Sequence, residues 1–116
     1  MPIINSITKE KLSDDLKNTL KTEFASMMMD VAGKSENWLM VRFAEGDDIY
    51  FHGEPLDKGA IVEIQLIGKL TRGQKEKISA RICDIFESNL KYPKDNVYIV
   101  IQEFAGENWG YNGSTF

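Results

Sequence analysis

The sequence predicts an α+β fold of order β-α-β-β-α-β, with two helices on one face of a four-stranded mixed sheet. Three observations carry this prediction. Two long stretches place apolar residues three and four positions apart. Four shorter stretches are apolar or alternate with period two. Each helical stretch has a strand-like stretch on either side, so the same order occurs twice.

The first strand runs from Pro2 to Ile7. In the first helical stretch Leu12, Leu16, Leu20, Phe24, Met27, Met28 and Val31 form one stripe. Ser13 with Asp14 and Asp15 suits its start, and Gly33 suits its stop. The run Met27-Met28-Met29 reads as core filling. A second strand is expected over Trp38 to Phe43, and a short edge strand over Ile49 to Phe51. Ala60 to Ile67 alternates, with Ala60, Val62, Ile64 and Leu66 on one face. Ile78, Ile82, Ile85, Phe86 and Leu90 form the second helical stripe, with Thr71 as cap and Pro93 beyond its end. Val97 to Glu103 alternates again.

Asn37-Trp38-Leu39-Met40-Val41 after the first helix parallels Asn96-Val97-Tyr98-Ile99-Val100 after the second. The chain therefore reads as one domain over 1–116, with repeated halves of about 2–44 and 60–103. Strand-helix-strand units imply parallel pairing within each half. Helices on one face leave the other open, yet Ile61, Ile67, Tyr98 and Val100 would lie there. Such a face calls for burial, so a homo-oligomer is expected.

Composition closes several functional routes. The 116 residues suit one domain. The net charge is -4, with no separate cluster of Lys or Arg, which argues against nucleic acid as partner. No apolar run has the length of a membrane span, and no secretory signal is readable. A cytoplasmic location follows as the expectation, with any release independent of a signal peptide. Cys83 is the only cysteine and reads as a thiol on a buried helix face; His52 is the only histidine and reads as a loop residue. Neither a disulfide nor a Cys- or His-based metal site can form within one chain. No metal and no cofactor are expected.

Five motifs then occur in register. They are Met1-Pro2-Ile3-Ile4; Gly33-Lys34 followed by Trp38; Ile67-Gly68-Lys69; Val97-Tyr98-Ile99; and the tail Asn108-Trp109-Gly110-Tyr111-Asn112-Gly113-Ser114-Thr115-Phe116. Together they resemble the macrophage migration inhibitory factor family of the tautomerase superfamily, over essentially the whole chain. The resemblance implies a homotrimer with sites at subunit boundaries. It also implies a keto–enol tautomerase acting on a small aromatic α-keto acid such as phenylpyruvate.

By that resemblance Pro2, freed by removal of Met1, is the general base. Burial would keep its amine neutral, and Lys34 would push the same way. Lys34 would bind the substrate carboxylate or the developing enolate, and the Ile67 N–H would donate to substrate. Tyr98 would come from a neighbouring subunit. Trp38, Val100, Trp109, Tyr111 and Phe116 would form the apolar wall. Read without the resemblance, Pro2 opens a strand and Lys34 is a solvated helix-end lysine. Tyr98 and Trp38 are then core or interface aromatics.

The sequence departs from its relatives at Val100, where many carry asparagine, so a distal hydrogen bond to a hydroxylated ring is not expected there. Tyr111 replaces a tryptophan and Trp109 a smaller residue. The Cys-x-x-Cys motif of animal members is absent near Gly59 and Val62, which excludes thiol-disulfide activity. Two other functions stay open. One is a signalling or binding protein, cytokine-like, acting on a protein receptor with vestigial catalysis. The other is a Pro-dependent dehalogenase or decarboxylase, for which Arg42 is the carboxylate-binding candidate, although it reads first as a solvated strand residue; Arg72 and Arg81 lie with the second helix.

Overall fold

The computed structural model describes residues 1–116. The main elements are β1 (Pro2–Thr8), α1 (Asp14–Ala32), β2 (Met40–Ala44), β3 (Tyr50–Phe51), β4 (Glu54–Pro55), β5 (Ala60–Ile67), α2 (Arg72–Leu90), β6 (Val97–Phe104), β7 (Gly110–Tyr111) and β8 (Ser114–Thr115). One sheet has the order β2-β1-β5-β6. Strands β1 and β2 pair in parallel, as do β5 and β6, while β1 and β5 are antiparallel. The sheet is therefore mixed, and the strand-helix-strand expectation holds in both halves.

Burial follows the alternation. Ile4 of β1 and Val62, Ile64 and Leu66 of β5 have no measurable exposure, and they pack under Leu20, Phe24, Met27 and Met28 of α1 and Ile78, Ile82 and Phe86 of α2. Both helices lie on this face. The opposite face carries Met40, Arg42, Ile3, Asn5, Ile61, Glu63, Tyr98 and Val100, and neither helix covers it. Met40 is 73% and Tyr98 61% exposed, more than a large apolar or aromatic side chain is ordinarily left. No helix is long and apolar enough to cross a membrane.

Local chemistry sets the helix ends. The Ser13 and Thr71 hydroxyls accept the N–H groups of Leu16 and Gln74, and Gln74 returns a bond to Thr71 N–H to complete a capping box. Leu12 precedes the first cap, so it enters the core from outside the helix rather than on its stripe. Gly33 and Lys91 close the helices in the left-handed conformation. Met29 points outward, unlike Met27 and Met28. Cys83 is only half-buried at the core edge, not enclosed.

Two expected strands differ from the sequence expectation, and the tail adds a ribbon. Glu36–Trp38 forms a turn of 3-10 helix, so Trp38 lies outside β2. Its N–H is bonded to Ser35 O at 3.2 Å, which curls an apolar run that reads as strand. The segment at Ile49–Phe51 does not edge the main sheet; Tyr50 and Phe51 pair with Pro55 and Glu54 in a separate two-strand ribbon. The tail forms a matching ribbon, with Gly110 and Tyr111 paired to Thr115 and Ser114.

The internal repeat has a different register from the one the motifs suggest. Asn37 does not correspond to Asn96. Asp14–Ala32 and Arg72–Leu90 are offset by 58 residues, as are the 3-10 turns Glu36–Trp38 and Lys94–Asn96. Hydrogen bonds repeat at the same offset. Lys34 N–H donates to Met28 O, and Tyr92 N–H donates to Phe86 O. Glu45 accepts the Leu12 N–H and pairs with Lys17; Glu103 accepts the Leu70 N–H and pairs with Lys75.

Candidate functional site

At one end of the sheet, a cleft of about 340 Å³ opens beside the first residues of the chain. Strand β1 delivers Met1, Pro2 and Ile3 to it, the 3-10 turn supplies Asn37 and Trp38, and the tail supplies Trp109, Gly110 and Tyr111. The lining is mostly apolar, as small-molecule clefts are. Pro2 is buried, and its register partner on β5 is Leu66, also buried.

The aromatic wall is held by its own packing. Trp38 meets Tyr111 edge-on at 5.2 Å and Phe116 edge-on at 6.5 Å, while Tyr111 and Phe116 stack at 5.9 Å. Trp109 packs against Phe104 at 6.0 Å and also borders a second hollow with Ile3 and Gln65 on the uncovered face. The tail is pinned by a bond from Phe116 N–H to Trp109 O. Gly106 makes room for it, since a Cβ there would come within 2.8 Å of the Phe116 carbonyl oxygen.

Lys34 follows the left-handed Gly33, and this turn directs it to the end of β5. Its Nζ donates to the Ile67 carbonyl at 3.3 Å. Ile67 follows Leu66, the partner of Pro2, so Pro2, Lys34 and Ile67 share one end of the sheet. Burial, and secondarily the Lys34 charge, hold the Met1 α-amino group below its ordinary pKa. With Met1 attached, the Pro2 nitrogen is an amide.

Tyr98 and Val100 are not part of this cleft. On β6 the position level with Pro2, through Leu66, is Glu103. Tyr98 lies five residues back along that strand, roughly 16 Å at 3.3 Å per residue, and two strands across. It packs edge-on against Phe51 at 5.3 Å, and Val100 stands on the uncovered face. One chain therefore brings together Pro2, Lys34, Ile67, Trp38, Trp109, Tyr111 and Phe116, and leaves Tyr98 and Val100 at the far end. Arg42 is also on the uncovered face, whereas Arg72 and Arg81 pair with Glu76 and Asp30.

The repeat gives the cleft a counterpart. At the 58-residue offset Pro2 corresponds to Ala60, Ile3 to Ile61, Trp38 to Asn96, Met40 to Tyr98 and Trp109 to Phe51. The five second-site residues line a crevice of only about 80 Å³. The position of Lys34 is taken there by Tyr92, which is fully buried and hydrogen-bonded to Glu10. The nitrogen of Ala60 is an internal amide. The two positions share a frame but differ in volume, charge and access to a chain end.

Sequence reading missed β4, the tail ribbon, Tyr92 and the place of Asn37 in the cleft. Two-residue strands have too few positions to display a period, and Tyr92 is outside both helical stripes. Asn37 was legible only as the start of the repeated motif that includes Trp38.

A family profile described as macrophage migration inhibitory factor (MIF) matches residues 1–116. The macrophage migration inhibitory factor of Xenopus laevis is 28% identical over 116 residues, covering 100% of this chain and 99% of that protein. The crystal structure of a macrophage migration inhibitory factor homologue from Prochlorococcus marinus superposes with a TM-score of 0.86 at 32% identity, covering 98% of each chain. A probable tautomerase of Listeria monocytogenes is 29% identical over 52 residues, which are 45% of this chain and 85% of that protein.

Proposed function

The chain belongs to the macrophage migration inhibitory factor family, and from that premise we propose that it is a keto–enol tautomerase of phenylpyruvate-like α-keto acids whose general base is the free amino group of Pro2. The observation that carries this reading is the chain start opening into an apolar cleft beside Lys34. These surroundings already depress the Met1 amine. After removal of Met1 they would act on the secondary amine of Pro2 and favour its neutral, proton-accepting form at pH 7.

The step balances without a cofactor. The Pro2 lone pair takes a proton from the carbon next to the keto group. The C–H electrons form the C=C bond, and the carbonyl π electrons move to oxygen. Lys34 and the Ile67 N–H stabilise that oxygen or hold the carboxylate; water then protonates the enolate oxygen to give the enol, and the Pro2 ammonium returns its proton to water, which restores the base. Trp38, Trp109, Tyr111 and Phe116 hold the aromatic body and exclude water.

Tyr98 and Val100 enter the proposal from a second subunit, because their own chain holds them too far from Pro2. Closing a homotrimer would bury the uncovered sheet face and bring them to a neighbouring cleft. The exposure of Met40, Tyr98 and Val100 supports that assembly.

The test is phenylpyruvate tautomerisation by protein lacking Met1, verified by intact mass, beside the Pro2→Gly variant. Replacing the ring-fixed secondary amine by a mobile primary amine should lower kcat/KM, by at most the roughly 10²- to 10⁴-fold that a positioned base is worth. Equal activity in both forms would refute the proline mechanism, and inactivity of the Met1-free protein would refute the tautomerase reading.

A further inference from the structure

We propose that Asn37 determines specificity in the Pro2 cleft by hydrogen-bonding a polar substituent on the ring of the substrate. This rests on the reading of the cleft as a site for aromatic α-keto acids. Among the lining residues Asn37 alone has a side-chain amide; the others are apolar, aromatic or glycine. Its backbone is fixed. The Asn37 N–H donates to Ser35 Oγ at 3.2 Å, and the turn around it is closed by Trp38 N–H to Ser35 O and Leu39 N–H to Glu36 O. Its side-chain amide makes no hydrogen bond within the chain. A fixed backbone thus presents an uncommitted donor and acceptor beside Trp38 and Tyr111.

The energetics give this arrangement a direction. A bound apolar ring displaces water from the amide and offers nothing in return. A ring hydroxyl restores the bond. Sites that bond a substrate hydroxyl discriminate against the analogue lacking it. The effect here is modest because Asn37 is exposed to solvent in the free chain. The Tyr111 hydroxyl is the competing polar group in the wall, although its ring is committed to Phe116 and Trp38.

The experiment measures kcat/KM for 4-hydroxyphenylpyruvate relative to phenylpyruvate in the Met1-free protein and its Asn37→Ala and Tyr111→Phe variants. Asn37→Ala should lower that ratio by roughly three- to tenfold, the worth of one neutral hydrogen bond. An unchanged ratio in Asn37→Ala, or a fall confined to Tyr111→Phe, overturns the assignment. If the parent protein turns over neither compound, the tautomerase reading fails separately. The comparison then passes to NMR-titrated affinities for 4-hydroxyphenylacetate and phenylacetate. A preference for the hydroxylated acid that Asn37→Ala removes supports the assignment; no preference, or one that survives the substitution, overturns it.

Discussion

The Tyr92 hydroxyl donates to Glu10 Oε1 at 2.7 Å, at the place in the second half of the chain that Lys34 holds in the first. Both residues follow a left-handed helix stop, Gly33 in one case and Lys91 in the other. One side chain turns to the end of β5 beside the chain start. The other turns to Glu10 just beyond β1, where Lys58 also pairs with the carboxylate at 2.8 Å.

This relationship has a stability consequence. Tyr92 is fully buried and stacks on Phe86 at 5.8 Å. Tyr92→Phe keeps the ring and removes the bond to Glu10, which retains Lys58. Equilibrium urea unfolding should show a loss of about 1–2 kcal/mol. An unchanged midpoint with an unchanged slope would mean that the hydroxyl contributes nothing net.

Glu45 and Glu103 should make the fold acid-sensitive. Glu45 is held below the usual carboxylate pKa first by Lys17 and then by the Leu12 N–H. Glu103 is held there first by the Leu70 N–H and then by Lys75. Folded pKa values below unfolded ones give stability that is complete above about 4.3, the unfolded value for glutamate, and is lost as pH falls through the folded values. Unfolding midpoints measured from pH 6 down to pH 3 should fall in the parent protein. The Glu45→Gln, Glu103→Gln double variant should start lower and fall less; parallel curves would contradict the assignment.

Lys34 should set part of the pH–rate profile. Its positive charge disfavours protonation of the chain-terminal amine, so removing it raises that amine's pKa. The acidic limb of kcat/KM should move to higher pH in Lys34→Ala and stay near its original position in Lys34→Arg. Burial is the larger cause of the depression, so the move should be under about one pH unit. A limb that moves downward would exclude this role.

Pro2 and Tyr98 should complement each other between subunits. Pro2→Gly and Tyr98→Ala proteins, each impaired alone, are mixed under denaturing conditions and refolded together. Random cyclic assembly at equal amounts gives about one quarter of sites an intact Pro2 facing an intact Tyr98. Activity near that fraction is expected. Recovery no greater than the sum of the separate variants would mean that Tyr98 is not supplied by a neighbour.

The fold was legible where a long element has one buried face. Val62, Ile64 and Leu66 announce their strand by period two, and Ile78, Ile82 and Phe86 announce their helix by period four. Trp38 was misassigned to a strand because an apolar run has the same composition whether extended or curled; the bond from its N–H to Ser35 decides the matter. Pro2, Lys34 and the tail were legible through motif resemblance, not periodicity. Tyr92 was not, because its partner Glu10 is 82 residues away and nothing local links them. Asn37 was hidden for a different reason: its distinction is the lack of an intramolecular partner in an otherwise apolar wall.

The offset between the two ends of the sheet bears on how the chain could be rewired. A polypeptide has two equivalent strand starts here, Pro2 and Ala60, but one N-terminus. Under the proposed chemistry, bases are counted by free chain ends, not by clefts. A circular permutant that joins the present ends and opens ahead of residue 60 would move the terminal amine to a crevice that has Tyr92 and Glu10 where the other has Lys34. The backbone frame would accept the new start, and the chemistry would still lack its cation. Connectivity, as much as side-chain identity, would under that chemistry make one half of a near-repeated scaffold the working half.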